Sequence, residues 1–70
     1  MMPLGLAPID NENVIKKVGG NAETKKHLEN LGFVPGTVVK IVSEMNGNVI
    51  VNVKESRVAV SKELAMKIMV

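Results

Sequence analysis

The stretch Thr37–Lys54, with the sequence TVVKIVSEMNGNVIVNVK, carries the strongest structural signal in this 70-residue chain. Asn46-Gly47 at its centre is typical of a type I′ turn, which needs positive φ at both central positions and joins two antiparallel strands. The residues before the turn are rich in β-branched side chains, and those after it place Val49, Val51 and Val53 on one face. The stretch therefore predicts a β-hairpin with one apolar face.

The segment before this hairpin predicts a helix over about residues 21–31. Asn21 can accept a hydrogen bond from a free N–H group of the first turn, while Leu28 and Leu31 fall on one face. Gly32 stands where the residue after a helix often takes the left-handed conformation, and Phe33 then contacts Leu28 in a Schellman ending. The only aromatic residue of the chain is therefore expected to have a packing role.

A first strand is expected ahead of the helix, at residues 13–18. Its alternation is imperfect, because Ile15 and Val18 are three positions apart and would point to opposite faces of a regular strand. A β-bulge near Lys16 or Lys17 would bring both apolar side chains to the inner face. The sequence therefore predicts one irregular strand that ends at the glycines that follow it.

Short strands are also expected after the hairpin, at Arg57–Val60 and Lys67–Val70. A helical turn over about residues 61–65 separates them, with Ser61 as its N-cap. Strands this short are not stable as an open pair, so they are expected to close on one another. The predicted fold class is mainly β, a small barrel of about five strands with one inserted helix, and residues 1–70 form a single domain.

The composition of the chain narrows the classes of protein to which it can belong. It has no cysteine, so disulfides and thiolate metal sites are excluded. The net charge of +2 is spread along the chain and does not indicate a nucleic-acid surface. The apolar runs are far shorter than the roughly 20 residues that span a bilayer, and no secretory leader is evident. The protein is therefore expected to be cytoplasmic and not itself membrane-spanning.

Four segments together resemble the FeoA family, the small ferrous iron transport protein A. They are LENLGFVPGT at 28–37, NVIVNV at 48–53, SRVAV at 56–60 and ELA at 63–65. Their order and spacing match the family over essentially the whole chain, and the LGF-x-PGT run is the specific part. The chain departs from the family at residues 10–13, where a glycine commonly precedes the first strand.

The resemblance implies an SH3-like barrel with a helix inserted after the first strand. It also implies a function as a small accessory protein of bacterial ferrous iron uptake. The partner would be the cytosolic part of the large membrane ferrous iron transporter, which carries a GTPase domain. The fold also resembles the C-terminal domain of iron-dependent repressors, but this chain has no winged-helix portion. A stand-alone transport accessory is therefore the favoured interpretation.

The first residues to consider for metal binding are His27, the only histidine, and Glu23, four positions earlier on the predicted helix. An imidazole and a carboxylate at this spacing lie on one helix face and could share an ion. Stable zinc or iron sites generally need three or four ligands, so Fe(II) or another divalent ion is not supported by this ligand count. We expect a surface histidine and no required cofactor.

Catalytic machinery is not indicated either. Nucleophilic catalysis needs a base and an orienting partner, and one histidine without cysteine offers little for such a scheme. Gly19-Gly20 lacks the later glycine and lysine of a phosphate-binding loop, and it is better explained by a turn between strand and helix. The sequence therefore predicts a protein that is not an enzyme.

Apolar residues left over after the barrel is filled are candidates for a protein-binding surface. These are Leu4, Leu6, Ile50 and Met69, and Ile50 in particular should point outward because its neighbours in the strand point inward. The alternative is that the N-terminal segment covers Ile50. Met66, in contrast, is expected to fill a gap in the core.

Two further interpretations stay open at this stage. Small barrels also serve as nucleic-acid-binding or metal-binding regulatory domains, although single-stranded nucleic acid is usually bound by stacking aromatics, and this chain has only one. Nucleic acid is therefore not an expected partner. An exposed edge strand could also pair with a second copy, so a homo-oligomer is a further possibility.

Overall fold

A computed structural model describes all 70 residues, Met1–Val70. The chain forms six strands and two α-helices, preceded by a 3₁₀ turn at Leu4–Leu6. Their bounds are β1 Glu12–Val14, β2 Lys17–Val18, α1 Ala22–Asn30, β3 Val38–Met45, β4 Asn48–Val53, β5 Ser56–Ser61, α2 Lys62–Ala65 and β6 Ile68–Met69. All strand pairs are antiparallel, in one sheet of order β1-β3-β4-β5 and a second of order β2-β6. The mainly β prediction is confirmed.

The predicted first strand is divided between the two sheets. Ile15 donates its N–H to the carbonyl of Thr37 at 2.9 Å, while the next residue, Lys16, donates to the carbonyl of Met69 at 2.8 Å. Ile15 and Val18 both face the core, as expected, with 1% and 8% of their surface exposed. The predicted bulge at Lys16 or Lys17 is wrong: the chain turns both side chains inward by crossing from one sheet to the other.

The central hairpin has the predicted turn. Asn46 and Gly47 have φ of 48° and 80°, as a type I′ turn requires. The irregularity expected in the first strand lies instead in β3, where the register with β4 shifts between Ile41 and Ser43. This bulge adds one residue, Val42, to β3 opposite β4, and it bends the strand just beyond its pairing with β1.

Both ends of α1 are built as predicted. The Asn21 side chain accepts a hydrogen bond from the backbone N–H of Thr24 at 2.8 Å. At the other end Gly32 has φ of 104°, and Phe33 donates its N–H to the carbonyl of Leu28 at 3.0 Å, which is the Schellman bond. Phe33 and Leu28 are both fully buried. The end of α1 thus places Phe33, the only aromatic residue, in the core.

The core is a single cluster of 14 apolar residues, and no polar or charged side chain is buried. Its members are Leu4, Ile15, Val18, Leu28, Phe33, Val39, Ile41, Val49, Val51, Val53, Val60, Ala65, Ile68 and Val70. They come from both sheets, both α-helices, the turns and the N-terminal segment. Neither α-helix, at nine and four residues, has the length and apolar character needed to cross a membrane.

Leu4 is one of these core residues, so its assignment to a partner surface is wrong. Met2 and Val70 exchange two backbone hydrogen bonds, of 2.9 and 2.8 Å, and Pro3 bridges to Met69. The N-terminal segment therefore lies along β6 like a further strand. Leu4, at the start of the 3₁₀ turn that follows, is fully buried.

Replacing Leu4 or Leu6 by alanine tests which of the two side chains stabilises the core. Leu4→Ala should lower the free energy of unfolding by about 2–5 kcal/mol, because it leaves a cavity in a closed core. Leu6→Ala, the matched control two residues later, should change it by less than about 0.5 kcal/mol, because Leu6 is 61% exposed. Urea unfolding of the three chains measures both values. Equal losses would mean that the N-terminal segment does not hold Leu4 in the core.

The second hairpin, β4–β5, has an unfavourable turn sequence. Lys54 and Glu55 have φ of 48° and 66°, the same type I′ geometry as the first hairpin, although neither is glycine or asparagine. A left-handed conformation costs an ordinary L-residue roughly 1–2 kcal/mol. The register on either side, Val53 opposite Ser56, imposes this two-residue turn despite that cost.

Exchanging the two turn sequences tests this strain. The double variant Lys54→Asn with Glu55→Gly should raise the free energy of unfolding by about 1–2 kcal/mol, because both positions then tolerate positive φ. The reciprocal variant, Asn46→Lys with Gly47→Glu, should lower it by a similar amount. Urea or thermal unfolding checks both. If the replacement of Lys54 and Glu55 destabilises the protein, the conclusion that this turn is strained is wrong.

Candidate protein-binding surface

The two metal candidates lie on the exposed side of α1. Glu23 and His27 are both exposed, and neither side chain makes a hydrogen bond or an ion pair. The structure contains no group of three or more histidine, cysteine, aspartate or glutamate side chains that could hold an ion. Glu23 and His27 are therefore two candidate metal ligands on one face of α1, without a third.

The polar and charged side chains lie at the surface of the protein and do not line a closed cleft. A shallow concavity of about 260 Å³ lies over the outer face of the four-stranded sheet, the face opposite the core. Its lining residues are Glu12, Val38, Val39, Lys40, Asn52, Lys54 and Glu55. Glu12, Lys40 and Asn52 are consecutive cross-strand neighbours in this surface. The only ion pair of the structure lies elsewhere, between Lys62 and Glu44, with an N–O distance of 3.4 Å.

Three of the four predicted partner residues reach the surface. Leu6 is 61% exposed, while Ile50 and Met69 are half-buried. Ile50 lies between Ser43 and Ala59 on the outer face of the four-stranded sheet, as the alternation of β4 predicted. The N-terminal 3₁₀ turn packs against α2 and β6. The three residues thus belong to different elements, the N-terminal turn, β4 and β6, while Leu4 lies in the core.

The structure also exposes apolar side chains that sequence reasoning did not single out. Val14 and Val38 are cross-strand partners on β1 and β3, and each is 47% exposed. Because Val39 and Ile41 point inward, the alternation of β3 could have revealed that Val38 points outward. Met66, expected in the core, is instead 37% exposed.

Met66 lies against the backbone of Gly5, and a Cβ atom at Gly5 would stand only 2.8 Å from its sulfur. Leu6 and Met66 are thus exposed apolar residues on the N-terminal turn and at the end of α2, which pack against each other, and we call the two residues the N-terminal patch. Exposed apolar residues of this kind often mark protein-binding sites.

The polar and aromatic side chains that other chemistries need have structural roles. Ser61 accepts a hydrogen bond from the backbone N–H of Leu64 at 3.1 Å, which caps α2 as predicted. Phe33, the only aromatic residue, is fully buried, so the surface has no phenylalanine, tyrosine or tryptophan ring on which a base could stack. The exposed features that could bind a ligand are sheet edges, apolar side chains and scattered charges.

Two antiparallel sheets packed around one apolar core, with a helix inserted after the first strands, define the class of protein as a small SH3-like barrel. The family model described as the FeoA domain matches residues 2–70. The chain belongs to the FeoA family.

A curated relative and a solved structure agree with this assignment. A protein of Methanocaldococcus jannaschii, proposed to be Fe(2+) transport protein A, is 36% identical over 70 residues, which is all of this chain and 85% of that protein. The crystal structure of Stenotrophomonas maltophilia FeoA complexed with zinc is described as an SH3 domain protein. It is 25% identical, with a TM-score of 0.85 over 99% of this chain and 88% of that one.

A more distant neighbour shows the fold alone. The crystal structure of the T. acidophilum repressor IdeR matches with a TM-score of 0.83 at 24% identity, over 96% of this chain and 32% of that chain. The similarity between this fold and part of an iron-dependent repressor, stated from the sequence, is thus confirmed at the level of architecture.

Metal titration tests whether the two-ligand pair binds an ion. Addition of Zn²⁺, or of Fe²⁺ under reducing conditions, should leave the His27 ring resonances unmoved at micromolar concentrations, because two exposed ligands make a weak site. The control is Glu23→Gln, which removes one of the two ligands. A saturable shift of His27 in the native chain that Glu23→Gln abolishes would establish a site and refute this expectation.

Proposed function

We propose that this ferrous-iron-transport-associated protein of the FeoA family acts in the cytoplasm by binding the cytosolic part of a membrane ferrous iron transporter. It would act as a protein-binding module, without catalysing a reaction and without a required cofactor. The family assignment over residues 2–70 carries the proposal. The description of the Stenotrophomonas maltophilia protein, as a candidate activating factor for ferrous iron transport, points to the same kind of role for a relative of this chain.

The character of the surface supports a binding module. No polar or charged side chain is buried, and the concavity over the outer sheet face is shallow and open. Catalysis usually depends on ionisable groups held in a water-poor pocket, where their pKa values can be adjusted. Protein binding needs only a rigid scaffold that presents apolar anchors with a polar rim, and a small barrel around one apolar core provides one.

Leu6 in the N-terminal patch is the strongest single anchor for this contact. Its side chain is 61% exposed although the turn that carries it is held by backbone hydrogen bonds, Leu6 to Pro3 at 3.0 Å and Ala7 to Leu4 at 2.9 Å. Burying a leucine side chain stabilises a complex by roughly 1.5–3 kcal/mol. Because the backbone of this turn is already held, binding through Leu6 costs little backbone conformational freedom. Ile50 and Met69 are weaker candidates because both are already half-buried.

Charge substitution at the surface tests the contact. We expect Leu6→Lys to weaken binding to the transporter's cytosolic domain by about 10- to 100-fold, the equivalent of losing one buried leucine. Ile50→Lys reports separately on the outer sheet face. Met45→Lys is the matched control, because Met45 is 62% exposed and lies at the tip of the first hairpin. Calorimetry measures affinity, and amide spectra show that each variant is folded.

The possible outcomes test the choice of partner and the choice of interface residues separately. If the native chain does not bind the cytosolic domain at all, the proposed function is wrong. If it binds and neither Leu6→Lys nor Ile50→Lys weakens the complex, the function stands and both residues are removed from the interface. A loss of affinity with Met45→Lys as large as that with Leu6→Lys would indicate a general charge effect.

A further inference from the structure

Strand β5 is the free edge of the four-stranded sheet. It pairs only with β4, across a turn of two residues, so Val53 and Ser56 form the hydrogen-bonded closing pair. Alternation then directs the N–H and C=O groups of Ser56, Val58 and Val60 toward β4. Those of Arg57 and Ala59 point away from the sheet.

The outer edge of β5 is uncovered. Arg57 and Ala59 are both exposed, and neither takes part in any backbone hydrogen bond outside the regular elements. The register between β4 and β5 is continuous from Val53–Ser56 to Asn48–Ser61, so no bulge twists the edge away. The strand contains no proline. Of the devices that usually protect an edge, only the charge of Arg57 is present.

We propose that β5 is a self-pairing edge, through which two copies of this chain associate antiparallel about a two-fold axis at Val58. In this register Arg57 of each copy lies opposite Ala59 of the other. Each of these two pairs exchanges two N–H···O=C bonds, so the four free groups on each copy form four intermolecular hydrogen bonds. The two four-stranded sheets become one continuous sheet of eight strands. This inference does not depend on the proposed contact with a transporter.

The side chains along β5 are complementary to themselves in this register. Val58 faces Val58 of the second copy in the closely spaced, non-hydrogen-bonded position, where β-branched pairs are favourable. Each Arg57 faces the small Ala59, not the other Arg57, so like charges are not directly opposed. Ile50 is the cross-strand neighbour of Ala59, which lets the aliphatic stem of the second copy's Arg57 extend along an apolar row.

The ends of the paired strands are complementary in charge. The same register places Glu55 of one copy opposite Ser61 of the other, next to Lys62. Both Glu55 and Lys62 are at the surface, and the symmetry repeats this contact at the opposite end. Lys62 already pairs with Glu44 at 3.4 Å, so Glu55 of the second copy would add a second carboxylate to the same ammonium group. These opposed charges, and the pairing of Val58 with itself, favour a second copy over an unrelated extended segment.

The association should be weak and dependent on concentration. One strand on each side gives an interface well below the roughly 1,200 Å² of a standard stable complex. We therefore expect dimers to form at concentrations on the order of hundreds of micromolar, rather than at the nanomolar level. Sedimentation equilibrium of the full chain from about 10 µM to 1 mM covers this range.

Proline at an outward-facing edge position gives a selective probe. Ala59→Pro removes an N–H group that points away from β4, so the β4–β5 ladder keeps all its bonds and only the intermolecular pairing loses a donor. We expect it to weaken self-association by at least about 10-fold. Val14→Pro is the matched control, because the bond from Ile15 to Thr37 places the N–H of Val14 on the outer edge of β1. This control should leave self-association unchanged.

An N-methylated Ala59, accessible by chemical synthesis in a chain of this length, removes the same donor if the proline variant does not fold. Amide shifts of the native chain should change with concentration at Ser56–Ser61 and not on β1. A native chain that is monomeric at 1 mM would overturn the proposal. So would self-association that a folded Ala59→Pro or N-methyl variant leaves intact, or concentration-dependent shifts located away from β5.

Discussion

The burial of one face of the β3–β4 hairpin is the interaction on which the remaining structure depends. Val39, Ile41, Val49, Val51 and Val53 are each no more than 2% exposed, and they supply five of the 14 core residues. Valine and isoleucine side chains on a twisted hairpin cannot be shielded from water by that hairpin alone. Other elements cover this face: α1 brings Leu28, the turn after it brings Phe33, and the second sheet adds Ile68.

Closing the barrel from so short a chain has consequences for the surface. At Ile15 and Lys16 the chain crosses directly from one sheet to the other, because the successive backbone bonds of these residues go to different sheets. All buried side chains are apolar, so polar groups and charges are distributed over the outside, and the four-stranded sheet ends in two unpaired edges. A protein built in this way can offer edges, apolar side chains and shallow concave areas to other molecules. This agrees with an accessory role in the FeoA family.

Sequence reasoning succeeded where the signal was local. Asn46-Gly47 at the hairpin turn, the Asn21 and Ser61 caps and the Gly32–Phe33 helix ending each depend on a few neighbouring residues, and each has the expected hydrogen bond or φ angle. It failed where the decision was long-range. Leu4 is buried because Met2 and Pro3 pair with the far end of the chain. Met66 is 37% exposed because α2 places it over the outside of Gly5, a buried residue of the N-terminal turn.

The amino-acid sequence by itself determined the β class, the inserted helix with both of its capped ends, and the resemblance to one family. These features depend on short-range backbone geometry and on the spacing of apolar residues, both of which can be read from neighbouring positions in the chain. The tertiary structure alone decided that the first strand divides between two sheets, that the Lys54-Glu55 turn accepts positive φ, and that Leu4 lies in the core. These outcomes depend on which strands become neighbours. That pairing is fixed by the combined burial of residues far apart in sequence, which no local pattern records.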